Sequence, residues 1–198
     1  MNPIDMIQRS SYQKHISGAV IAIVTNTKDP DGIGRIKIVY PWNKDEGESY
    51  WARLMSFYAG DERGALFLPE VDDEVLVIFE QGDMESPIII GSLWSTPSKP
   101  PETNADGLNN IKKIKTRSGH EIIFDDSDTQ EKIEIKSKSG HRIILDDSTG
   151  GEKITMEDKS GNSIEMDAVG NKIILKSSII EIKADSMLTL QGGIVKIN

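Results

Sequence analysis

The chain has 198 residues, a formal net charge of −9 and no cysteine. That length suits one large domain or two small ones. The acidic balance argues against nucleic acid or an anionic membrane as the main partner, because both demand a basic footprint. Without cysteine there are no disulfides, thiolate metal sites or cysteine nucleophiles.

Composition divides the chain in two. All eight prolines lie at or before Pro101, and only Phe124 of the aromatics lies beyond Trp94. Residues 1–97 carry 15 acidic and 8 basic side chains, whereas residues 98–198 carry 17 and 15. Between them "STPSKPPETNADG" reads as a linker. No apolar run approaches the roughly 20 residues of a membrane span. The N-terminus "MNPIDMIQRSSYQKH" lacks the apolar core of a secretory signal, so synthesis in the cytoplasm without export by that route is expected.

In chain order, residues 1–17 form an N-terminal extension read as a short helix, with Ile4, Ile7 and Met6 on one side. It is too short to persist unless it packs on something. Residues 18–96 are β throughout. "GAVIAIVTNT" and "GRIKIVYPW" are β-branched runs separated by the Asp/Pro/Gly turn "KDPDGIG". "SYWARLMSFYAG", "GALFLPEVDDEVLVIFEQGD" and "SPIIIGSLW" follow, with "QGDMES" at the tip of a predicted hairpin. Five short antiparallel strands of this size predict a closed or nearly closed barrel, most commonly an OB-fold. After a linker over 97–110, residues 111–198 repeat one phrase. Ser118-Gly119-His120 returns as Ser139-Gly140-His141 and then Ser160-Gly161-Asn162, at intervals of 21.

The apolar positions match across the repeats. Ile122, Ile143 and Ile164 correspond, as do Phe124, Leu145 and Met166; the next strands give Ile133/Ile135, Ile154/Met156 and Ile173/Leu175. A period of two is a strand signal. In "EKIEIKSK" it puts the isoleucines on a dry face and lysine and glutamate on a charged one, able to pair across strands. Beyond Lys176 the phrase degrades, but Ile180/Ile182, Leu188/Leu190 and Val195/Ile197 keep the period. Such a unit cannot bury itself, since its dry face would stand in water and its edges would stay open. Repeats solve this by stacking, or by several chains bringing their dry faces together on an axis. The thin aliphatic core favours three chains in a closed triangular prism.

"DPDGIGRIKIVYPW", "GALFLPEVDDEVLV" and "PIIIGSLW", followed by a Pro-rich linker and "SGHEIIFDD" repeats, resemble the spike proteins of contractile injection machines, the VgrG and phage baseplate assembly protein V family. The resemblance covers roughly residues 15–198. It implies an all-β chain: an N-terminal OB-fold barrel, then a C-terminal intertwined trimeric β-helix. It implies a homotrimeric, membrane-puncturing central spike of a phage tail or related secretion machine, assembled into the baseplate. The partners implied are a trimeric hub, which the first 17 residues would contact, and transiently the target envelope. Large hub and effector domains seen in some relatives are not expected here. A His-x-His iron apex is also not expected, because "LTLQGGIVKIN" has no histidine. The implied end is blunt and capped by a separate PAAR-type tip protein, with Ile194, Val195, Ile197 and Asn198 as its contacts.

His120 and His141 occupy equivalent places, and threefold rings of them could bind a transition metal; a histidine bonding a turn is the plainer account. Asp125-Asp126 and Asp146-Asp147 end strands as solvated turns, lacking the further oxygen ligands of a calcium loop. The carboxylates at Glu70, Asp72, Asp73 and Glu74 could be imagined as a glycosidase pair, but crowd beside Pro69 as a turn would. No nucleophile, base and acid group together, so no enzyme activity and no cofactor are expected. The alternative function is a trimeric OB-fold module that binds a glycan or other polymer through Trp42 or Trp51, with the β-helix as its stalk.

Overall fold

The computed structural model describes residues 16–43 and 47–197. The helix expected over residues 1–17 lies almost wholly outside them. The chain divides into two compact units between Pro100 and Pro101.

The first unit contains β1 (Val20–Asn26), β2 (Lys37–Val39), β3 (Arg53–Leu54), β4 (Ala59–Gly60), β5 (Arg63–Gly64), β6 (Glu74–Phe79) and β7 (Pro87–Leu93). Five of these form one sheet in the order β2-β1-β6-β7-β3, antiparallel except for the parallel β3–β7 pair. The circuit closes through bridges from Ile36 to Ala52 and from Val39 to Glu48, which join β2 to the lead-in of β3. Closure of a small sheet on itself is the barrel expected of an OB-fold, and it removes open edges. β6 alternates half-buried and buried along its six residues. Its inward Val75, Val77 and Phe79 meet Ala22, Val24, Ile36, Ile38, Tyr40, Ala52 and Ile89 in one core. The β6–β7 hairpin turns through a short 3-10 segment, Glu80–Gly82, with Gln81 and Gly82 at positive φ. β3 is shorter than "SYWARLMSFYAG" promised, because after Met55 the chain leaves the barrel for the separate β4–β5 hairpin.

The second unit is a seven-stranded meander: β8 (Ile111–Lys115), β9 (Glu121–Asp125), β10 (Lys132–Lys136), β11 (Arg142–Asp146), β12 (Lys153–Glu157), β13 (Ser163–Asp167) and β14 (Lys172–Lys176). Each strand pairs antiparallel with its sequence neighbours. The 21-residue interval has a local cause. At every second corner Gly119, Gly140 and Gly161 adopt φ of +94°, +94° and +83°, and their N–H groups bond back to the carbonyls of Thr116, Ser137 and Asp158. Side chains disfavour that backbone region, so glycine returns wherever the turn returns. The alternate corners are closed by Asp125, Asp146 and Asp167, whose carboxylates accept from the N–H groups of Ser127, Ser148 and Gly170.

Over residues 111–176 short hairpin turns pair each strand with its sequence neighbours. One feature differs from expectation. The period-two pattern beyond Lys176 does not become strand: none is assigned among residues 177–197.

Candidate assembly surface

Register decides what the meander presents to either side. Ile114, Ile122, Ile135, Ile143, Met156, Ile164 and Leu175 stand directly opposite one another in sequence across all seven strands. Two residues along, Phe124, Ile133, Leu145, Ile154, Met166 and Ile173 make a second row on the same face. A one-residue slip anywhere would turn the whole set over. Thirteen apolar side chains thus share one face; Ile143 is half-buried and the other twelve are exposed, from 37% at Ile122 to 70% at Ile173. Together they present on the order of 1,000 Å² of apolar surface, against a few hundred for an ordinary monomer patch.

The opposite face carries a charge lattice in its outer rows, around a central row that mixes Ile123, Ile144 and Ile174 with Glu134, Thr155 and Glu165. Asp125, Lys132, Asp146, Lys153, Asp167 and Lys172 alternate in sign along one row. Ion pairs form across strands, including Lys132–Asp125 at 3.5 Å, Arg142–Glu157 at 2.6 Å and Lys172–Asp167 at 3.2 Å. The carboxyls of Asp125 and Asp146 lie below their ordinary range, chiefly through hydrogen bonds from Ser127 and Ser148. The Gly170 N–H and the Lys172 ammonium do the same for Asp167. Stems of these long side chains cover the polar face. The dry face has no such cover among the described residues.

Residues 177–182 pass in front of one end of that dry face. A groove of about 760 Å³ lies between them, with Ile143, Ile164 and Leu175 on one wall and Ile179, Ile180 and Ile182 on the other. Its lining is mostly aliphatic.

His120 and His141 sit at the glycine corners, where each Nδ1 accepts a backbone N–H, from Lys138 at 3.3 Å and from Lys159 at 3.4 Å. Among the described residues no group of three or more His, Cys, Asp or Glu side chains could hold a metal. Ile194, Val195 and Ile197 are exposed, Ile197 at 90%, while Asn198 lies outside the described residues. In the first unit, Asp73 accepts from the Glu70 N–H, closing the turn where the acidic residues crowd. The Trp51 ring is faced by two cations, Arg35 at 5.8 Å and Lys37 at 5.4 Å, whereas Trp42 rests against Tyr40 and is half exposed. Burial pushes the Tyr40 hydroxyl up to about 12, so it holds its proton at any ordinary pH.

Sequence reasoning missed two features. One is the cluster of Asp29, Arg35 and Trp51; an Asp opening a Gly-rich loop that closes on an Arg was its available signal. The other is the arm around β4–β5, where Met55, Phe57, Leu66 and Phe67 are exposed, Phe57 at 85%. Its apolar residues read as ordinary strand, because nothing in their spacing tells an arm from a barrel wall.

Comparison with known proteins bears on both units. Residues 20–94 match the family model of the type VI secretion system/phage-baseplate injector OB domain. The chain is 28% identical over 137 residues to the type VI secretion system spike protein VgrG3 of Vibrio cholerae, covering 63% of this chain and 14% of that protein. It is 31% identical over 130 residues to the actin cross-linking toxin VgrG1 of Vibrio cholerae, covering 60% and 12%. It is also 31% identical over 108 residues to the type VI secretion system spike protein VgrG2a of Pseudomonas aeruginosa, covering 50% and 13%. The matches therefore span less than a sixth of those proteins' length.

Proposed function

We propose that the chain is a member of the VgrG and phage-baseplate spike family and the central spike of a contractile tail or related secretion machine, a reading supported by the match of residues 20–94 to the injector OB domain. The observation that carries the reading is the two-row dry face of the second unit. A face of thirteen apolar side chains, twelve of them exposed, is not stable alone in water, and among the described residues no helix or second sheet covers it. Three copies turned inward would bury it in a closed prism, leaving the charge lattice outside. Each half-exposed aliphatic side chain so covered contributes about 1 kcal/mol before the entropy of association is subtracted.

The spike's task on this reading is mechanical. A prism with a dry interior and ladders on every face resists bending without refolding, and alternating outer charges limit adhesion to other proteins. A trimeric hub would hold it at the tail tube. A PAAR-type tip protein would cap the far end, against Ile194, Val195, Ile197 and Asn198. Contraction would drive the assembly through the target envelope. No helix among the described residues is long and apolar enough to cross a membrane. The polymer-binding alternative is less well supported, because cations already occupy the space over the Trp51 ring.

Ile143→Lys tests this reading, since it puts a charge in the middle of one dry row while leaving the charged face intact. The expected outcome is loss of an SDS-resistant trimer that the parent shows, with the OB unit still folded by tryptophan fluorescence. Trp42→Ala should leave the trimer unchanged. A trimer insensitive to Ile143→Lys, together with saturable glycan binding abolished by Trp42→Ala, would favour the binding module instead.

A further inference from the structure

One end of the barrel is left unfinished by the described residues. There the Tyr40 ring lies between Phe79, at 5.8 Å, and Trp42, at 5.4 Å. Tyr40 is 4% exposed, yet its hydroxyl has no hydrogen-bond partner among the described residues. A buried hydroxyl without a partner is uncommon, because it has given up its bonds to water. Trp42 is half exposed, and Tyr50, which reaches the β6–β7 turn to bond Glu85 at 3.2 Å, is more exposed still. Two large aromatic rings thus stand in water beside that turn. The turn itself is acidic: it carries Glu80, Asp83 and Glu85, and Arg53 bonds Glu80 at 2.6 Å.

The chain enters the barrel at this same end. The Ile16 N–H bonds the Gly82 carbonyl at 3.1 Å, and Ile16 and Met84 both pack against the core. The residues before Ile16 answer the face in composition. Ile4, Met6 and Ile7 are apolar, while residues 8–15 hold Arg9 and Lys14 and no carboxylate.

We propose that residues 1–15 seat on this end of their own barrel, with Ile4, Met6 and Ile7 against Trp42 and Tyr50, and Arg9 and Lys14 against the carboxylates of the β6–β7 turn. Two observations select this occupant over a separate molecule. The tie at Ile16 keeps the segment at a high effective concentration beside the face, so that modest contacts suffice. The charges also match, since cations without acids arrive at a turn with three carboxylates and one guanidinium. The proposal stands whether or not the chain is a spike. On the spike reading, a hub reaching this end would meet residues 1–15 rather than a bare aromatic face.

A segment that is tethered but not seated would touch every part of the barrel, because the ten residues from Met6 to Ile16 span up to roughly 33 Å. That difference is measurable, since the chain has no cysteine of its own. Met6→Cys would be combined with Asn43→Cys, beside Trp42, or with Ile33→Cys, in the loop that joins the opposite ends of β1 and β2. The 6/43 disulfide should form at least about tenfold faster than the 6/33 one, and within one chain on a denaturing, non-reducing gel. Equal rates would overturn the proposal, and so would a 6/43 link found only between chains. Trypsin reads the same seat without cysteines. Asp83→Asn/Glu85→Gln removes two charges but keeps both side-chain acceptors, and it should speed cleavage after Arg9 about tenfold while tryptophan fluorescence stays that of the parent. Cleavage after Arg9 at the parent's rate would overturn the proposed charge match.

Discussion

Asp29 organises one loop of the barrel almost alone. Its carboxylate accepts from the N–H groups of Asp31, Ile33 and Arg35 and from the Arg35 guanidinium at 2.8 Å, and its side chain is only 3% exposed. Arg35 also bonds Asp31 and faces the Trp51 ring. The Arg35 guanidinium, more than any other group, holds the Asp29 carboxyl far below the usual carboxylate range. A carboxyl with a lowered folded-state pKa stabilises fully above its unfolded value and loses that contribution as pH falls toward the folded one. Asp29→Asn should therefore lower the melting temperature of the OB unit at pH 7. The gap to the parent should narrow as pH falls below about 4, where the unfolded carboxyl takes up its proton. Thermal melts at pH 7 and pH 2.5 check this; a gap that stayed constant would contradict it.

At the scale of elements, the glycine corners set the repeat. Gly140 has φ of +94°, and a Cβ there would meet nothing closer than Lys159 Cβ at 3.8 Å. The cost of Gly140→Ala is thus backbone strain, not collision, and should be about 1–2 kcal/mol per chain. Gly91 in β7 has open space and no positive φ, so Gly91→Ala should fall within about 0.5 kcal/mol of the parent. Equilibrium unfolding of the two variants compares them directly. These corners were legible in the sequence because a turn that requires glycine repeats its glycine. So were the apolar rows, because a period of two survives whatever lies opposite. The barrel's inward residues were legible for the same reason, whereas the short β3 and the β4–β5 arm were not. Where a strand leaves its sheet depends on partners distant in sequence, and "SYWARLMSFYAG" has the composition of strand throughout. Residues 177–197 keep the period of two without forming strand, since alternation reports a strand's faces and not what it pairs with.

At the scale of the whole molecule, one face explains the account. The charge lattice is complete within a single chain, and so is the barrel core; the dry face is not. On the proposed reading each of three chains brings an OB domain and, after it, one such face. Multi-angle light scattering of the purified protein tests that claim most directly. The account predicts a species of about three times the 21.9 kDa chain, unchanged on dilution. A single species at the mass of one chain would contradict it, because the thirteen side chains of the dry face would then have to be covered by the chain itself.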